Sequence, residues 1–97
     1  MKEDLARLIH EALDSLVKQG LLPTDIAPQV HIDHTRDKSH GDLASNIALS
    51  LAKPAQTKPR ELAALICDAL PASPLVTRTE IAGPGFINFF LSDASNQ

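Results

Sequence analysis

Apolar side chains recur at Leu5, Leu8, Ile9, Ala12, Leu13, Leu16 and Val17. This i, i+3, i+4, i+7 spacing puts them on one face of an α-helix. Glu3 and Asp4 sit where the positive end of the helix dipole would lie, and Lys18 near its negative end. Gly20 follows as a natural stop, because glycine takes the left-handed conformation cheaply. The pattern predicts a helix over residues 2–19. Pro23 and Pro28 mark residues 21–29 as a loop. Val30 and Ile32 then alternate with His31 and Asp33, the two-residue period of a half-buried strand. The polar run 35–41 predicts an exposed loop.

Asp42 is placed to cap a second helix, whose buried stripe would be Leu43, Ala44, Ile47, Ala48, Leu51 and Ala52 and whose end would be Pro54. A third helix starts at Pro59, where a missing N–H costs nothing, carries Leu62, Ala63, Ile66, Cys67 and Leu70, and ends at Pro71. Residues 76–82 are β-prone. Beyond them Ile87, Phe89 and Leu91 alternate with Phe86, Asn88 and Phe90. Gly83-Pro84-Gly85 between the two runs predicts a type II turn and a hairpin. The order α-β-α-α-β-β implies the α+β class, a two-layer α/β sandwich in which an antiparallel sheet carries the helices on one face. Residues 1–97 read as a single domain, with 1–92 the folded core and 93–97 the start of a linker.

Composition removes several functions. The 97 residues are enough for one core, burying roughly 60–65% of the unfolded surface. Cys67 is the one cysteine, which rules out an internal disulfide and suits a reducing cytoplasm; its helical position reads as small core filler. Charged residues interrupt the N-terminus too early for a secretory signal, and no run reaches the ~20 apolar residues of a membrane span. Net charge is −3, against a bulk nucleic-acid binder, but residues 30–60 carry +2 and three of the four histidines, His31, His34 and His40. An anion would be felt there first. These histidines lack the i, i+4 pairing of a zinc helix, and the chain holds no phosphate-binding glycine loop. A His40/Asp42 acid–base pair has no nucleophile beside it. The expected sets of catalytic, metal-ligating and cofactor-binding residues are therefore empty.

The last strand is more informative. With Ile87, Phe89 and Leu91 turned to the core, Phe86, Asn88 and Phe90 face away from it. Two rings flanking an amide form an RNA-reading surface, since unpaired bases stack on aromatics and an amide reads a base edge. The competing reading is that a further helix covers this face and makes both rings ordinary core.

Three segments together resemble one family. Gly41-Asp42-Leu43-Ala44-Ser45-Asn46 is similar to the Gly-Asp-(aromatic or Leu)-Ala-(Ser/Thr)-Asn segment of arginyl-tRNA synthetases. Ala82-Gly83-Pro84-Gly85-Phe86-Ile87-Asn88-Phe89 resembles that family's Ala-Gly-Pro-Gly-Phe-Ile-Asn-Phe signature, and Pro59-Arg60-Glu61-Leu62-Ala63 its Pro-Arg-Glu-(Ile/Leu)-Ala helix start. The resemblance implies an additional N-terminal domain that precedes catalytic and anticodon-binding domains and touches the D-loop of arginine tRNA. It implies a contacting aromatic and amide at Phe86 and Asn88, with Gly83 and Gly85 allowing close backbone approach. Phe90 would add a second ring, and Arg36, Lys38, Lys58 and Arg60 would meet phosphates. It implies structural roles for Asp42 and Asn46. The parent reaction uses ATP with Mg, but the family's His-Ile-Gly-His and Lys-Met-Ser-Lys-Ser segments are missing here, so this chain alone is not expected to be an enzyme. The alternative function is a module that braces the catalytic body without reading RNA.

Overall fold

A computed structural model describes residues 1–96. Among them, α1 (Lys2–Lys18), α2 (Ile47–Ala55) and α3 (Pro59–Ala69) pack on a sheet of β1 (Ile32–His34), β2 (Leu43–Ser45), β3 (Val76–Ala82) and β4 (Phe86–Leu91). The strands are ordered β1-β2-β4-β3, and every pair is antiparallel. The architecture is the expected α+β sandwich with one more strand, so the order is α-β-β-α-α-β-β. No described helix is long and apolar enough to cross a membrane.

α1 buries Leu5, Leu8, Ile9, Ala12, Leu13 and Leu16, the stripe read from its spacing. Its end is closed by Gly20 at φ 77°, with Leu21 N–H donating to Leu16 O at 2.9 Å and Gly20 N–H to Val17 O at 3.0 Å. α3 begins at Pro59 and buries Leu62, Ala63 and Ile66 as expected. Ile87 and Phe89 of β4 are fully buried against these helices, and each such side chain is worth about 1.5–3 kcal/mol of transfer free energy.

Residues 43–45 depart from expectation. They form β2, which pairs Leu43 with Phe89 and His34, and Ser45 with Ile87 and Ile32. Leu43, Ala44, Ile47 and Ala48 fit a helical stripe, and three residues are too few to display a strand period. Partners on both sides decide the matter. β2 fills the gap between β1 and β4, and without it those two strands would each expose an unpaired edge. α2 therefore starts at Ile47, and Asp42 does not cap it. Ser45 Oγ instead accepts the Ile47 N–H at 3.2 Å, while Asn46, the residue before the helix, is exposed and makes no side-chain cap bond.

Smaller expectations also shift. Pro54 lies inside α2 and costs only a bond in the last turn; the helix ends at Gln56, φ 54°, where Thr57 N–H reaches Ala52 O at 3.1 Å. Val30 is half-buried ahead of β1 and is not part of it. The loop after β1 holds a 3₁₀ turn at Lys38–His40. The hairpin turn closes one residue early: Gly85 N–H donates to Ala82 O at 3.2 Å, so Gly83, φ 53°, takes the first central position and not Pro84. At the C-terminus Asp93–Asn96 form another 3₁₀ turn, and Gln97 lies outside the described residues.

Candidate nucleic-acid interface

The helices cover only the inner face of the sheet. The outer face of β4 carries Phe86, Asn88 and Phe90, as the alternation implies, and among the described residues no α-helix roofs it. Cross-strand pairing sets Ala82 beside Phe86, Glu80 and Ala44 beside Asn88, and Arg78 beside Phe90. The loop between β1 and β2 rises along one side. Together they enclose a cleft of about 570 Å³ lined by Thr35, Arg36, His40, Ala82, Gly83, Pro84, Phe86 and Asn88.

Within the cleft, Phe86 is 41% exposed, an unusual state for so large an apolar ring. Asn88 is only 7% exposed, yet its amide makes no hydrogen bond within the described residues. No fully buried side-chain nitrogen or oxygen there lacks a partner, so the amide's remaining exposure opens onto the cleft. Its polar atoms are therefore not stranded but open to water or to a ligand in the cleft.

Of the residues marked by sequence, Phe86, Asn88, Gly83 and Arg36 meet here. Others lie elsewhere. Phe90 is half-buried with the Arg78 guanidinium 3.7 Å from its ring centroid, a cation–π contact that occupies the ring face. Lys38 pairs with Asp42 at 2.7 Å. Lys58 lines a separate shallow groove with Lys53 between α2 and α3. Arg60 donates through Nη1 to Gly83 O, behind the hairpin turn. Gly85 is buried; a Cβ on it would stand 2.9 Å from Pro59 Cβ and 3.0 Å from Pro59 C. That glycine admits the first turn of α3, so close approach is used internally. His40 and Thr35 in the cleft wall are residues that no motif singles out, and the basic, histidine-rich middle third is the one signal in the sequence that points to them.

The three signature segments prove to be one mechanical unit. Pro59 and Arg60 hold the 83–85 turn from behind. Gly41, φ 86°, lies so close to β4 that an added Cβ would be 2.7 Å from Phe89 O. Asp42 N–H donates to that same oxygen at 2.9 Å, and Asp42 Oδ2 accepts the Leu91 N–H at 2.9 Å. The carboxyl of Asp42 is held below the ordinary carboxylate range, first by Lys38 and then by the Leu91 amide. Asp42 is thus a strand-to-strand tie in place of the expected helix cap.

Comparison with known proteins agrees with this geometry. The family described as "Arginyl tRNA synthetase N terminal domain" matches residues 3–91. An arginine–tRNA ligase of Shewanella putrefaciens is 52% identical over 95 residues, covering 98% of this chain and 16% of that protein. One from Thioalkalivibrio sulfidiphilus is 57% identical over 93 residues, covering 96% and 16%. The chain therefore spans about a sixth of the length of these curated relatives. The arginyl-tRNA synthetase structures of Thermus thermophilus (TM-score 0.76, 20% identity, 98% of this chain and 14% of that one) and Plasmodium falciparum (TM-score 0.76, 11% identity, 97% and 16%) share its fold. With signature segments, fold and family match in agreement, the chain belongs to the arginyl-tRNA synthetase N-terminal domain family.

Proposed function

We propose that the cleft on the outer face of β4 receives an unpaired base from the D-loop of arginine tRNA. The domain would thereby serve a cytoplasmic enzyme that joins arginine to its tRNA with ATP and magnesium. Phe86 supplies the stacking face, Asn88 the base-edge hydrogen bonds, and Arg36 with His40 the contacts to flanking phosphates. The ATP chemistry belongs to other domains of the parent, and no residue here is assigned to it. The observation that carries this reading is the Asn88 amide, nearly buried, open to the cleft and without a hydrogen-bond partner among the described residues.

Local charge supports a base, and not a phosphate, at the cleft floor. Glu80 and Asp33 stand at the two ends of the cross-strand row through Ala44 and Asn88, one and two strands from Asn88, or about 5 and 10 Å. Asp33 would repel a phosphate over Asn88, and so would Glu80, though Arg78 Nη2, 3.6 Å from Glu80 Oε2, offsets part of its charge; a neutral base would not be repelled. The cations lie on the loop side, where the backbone of a splayed nucleotide would pass. Phosphate contacts position and the amide specifies.

The test is an NMR titration of the ¹⁵N-labelled chain with arginine tRNA at low and moderate salt, repeated with Asn88→Ala. Amides of residues 83–90 should shift, the shifts should survive moderate salt, and Asn88→Ala should abolish them while the chain stays folded. Shifts confined to residues 30–60 and erased by salt would mean diffuse phosphate attraction, and would refute the proposal.

A further inference from the structure

The wall of the cleft is a loop, and one side chain links it to the sheet. Arg36 and His40 reach the cleft from residues 35–41, outside any strand. Asp42 Oδ1 accepts from Lys38 Nζ at 2.7 Å, and Oδ2 accepts from Leu91 N–H at 2.9 Å. The carboxylate therefore spans the gap between the 3₁₀ turn and the end of β4. Other bonds brace the loop without touching the carboxylate, and the Asp42 N–H, donating to Phe89 O at 2.9 Å, fixes the backbone at this point to β4. Thr35 N–H donates to Asp42 O at 3.2 Å, Thr35 Oγ1 donates to Gly41 O, and Asp37 Oδ1 accepts the Ser39 N–H at 2.9 Å. Lys38 itself is 88% exposed and stands outside the cleft, with Asp42 as its partner on the protein.

We propose that Asp42 is a positioning residue for RNA binding: it clasps the 35–41 loop onto β4, and Lys38 acts through it and not on a phosphate. The inference rests on the reading that RNA occupies the cleft. Phe86 and Asn88 belong to the sheet and stay in place when the clasp opens; Arg36 and His40 do not. Apparent affinity then falls in proportion to the closed fraction, so a clasp closed about one-fifth of the time gives about a fivefold loss.

The test compares Asp42→Asn, Lys38→Met and the double variant with the parent chain. Asp42→Asn keeps the shape and an oxygen for the Leu91 N–H but loses the charge that Lys38 needs. Lys38→Met removes only the exposed arm, so it keeps the test valid if Asp42→Asn folds poorly. Without RNA, the Ser39, His40 and Gly41 amides should shift in both single variants while Ile87 and Phe89 hold. With arginine tRNA, each single variant should lose about two- to fivefold in affinity, the reach of an exposed ion pair. The double should lose no more than one of them, since the pair acts as a unit. The salt slope should be unchanged. Loop amides that ignore Asp42→Asn would overturn the clasp. So would a Lys38→Met effect that adds to Asp42→Asn and flattens the salt slope by about one phosphate contact. If Asn88→Ala binds tRNA like the parent chain, the cleft reading fails instead, and the RNA-free amides still decide whether Asp42 holds the loop.

Discussion

Replacing Gly85 by alanine separates an internal role for the hairpin glycines from a role in admitting RNA. The structure gives this glycine two burdens. Its φ of 144° is one that L side chains rarely adopt, at a cost of about 1–3 kcal/mol. An added Cβ would also stand 2.9, 3.0 and 3.2 Å from Pro59 Cβ, C and O. Two of these are backbone atoms at the start of α3, which cannot turn away as a flexible side chain could, and such overpacking costs about 1–3 kcal/mol. The sum, about 2–6 kcal/mol, is a large part of the ~5–15 kcal/mol total of a domain this size. Gly20→Ala is the natural control. It shares a positive φ of 77° but meets nothing within 4 Å, so it carries only the backbone cost of about 1–2 kcal/mol. With neither Trp nor Tyr in the chain, unfolding is best followed by far-UV circular dichroism. Each kcal/mol moves the midpoint by ~4–8 °C, so Gly85→Ala should melt at least about 8 °C below the parent chain and clearly below Gly20→Ala. If the two variants melt together, the turn has room for a side chain. The packing argument is then wrong, and a ligand becomes the better reason for the glycine.

Further outcomes follow from the same geometry. Phe86→Ala should weaken arginine-tRNA binding by ~1–3 kcal/mol, the worth of a lost stacking face, and shift the melting midpoint only slightly because the ring is already 41% exposed. Phe89→Ala, at a fully buried ring whose backbone oxygen accepts the Asp42 N–H, should cost about 3–5 kcal/mol in urea titration. Because Lys38 and the Leu91 amide hold Asp42 below the ordinary value of ~3.9, the folded chain binds fewer protons there than the unfolded one. Its contribution is full above that value and is lost as pH falls through the depressed native one. The Leu91 amide shift should report a midpoint below the ordinary carboxylate value, and Asp42→Asn should abolish it. Burial pushes the Cys67 thiol up, so alkylation at mildly alkaline pH should be slow in the native chain and should speed up on unfolding in urea.

Local patterning determined the parts of this protein whose physics is local. The α1 stripe with its Gly20 stop, the Pro59 start of α3, and the alternation that sends Ile87 and Phe89 inward all depend on spacing within one element, and spacing is written in the chain. So is the candidate pair Phe86 and Asn88, because one strand's period fixes which face each residue takes. Tertiary structure decided what depends on neighbours distant in sequence. β2 is a strand because β1 and β4 both need a partner, a demand that residues 43–45 do not carry in their own pattern. Asp42 is a tie and not a helix cap because Leu91 lies 49 positions away in sequence and 2.9 Å away in space. The same holds for Arg60 on Gly83, Arg78 over Phe90 and Lys38 on Asp42. A charge in a sequence shows that a partner is wanted; only packing decides whether that partner is a phosphate or another part of the same chain.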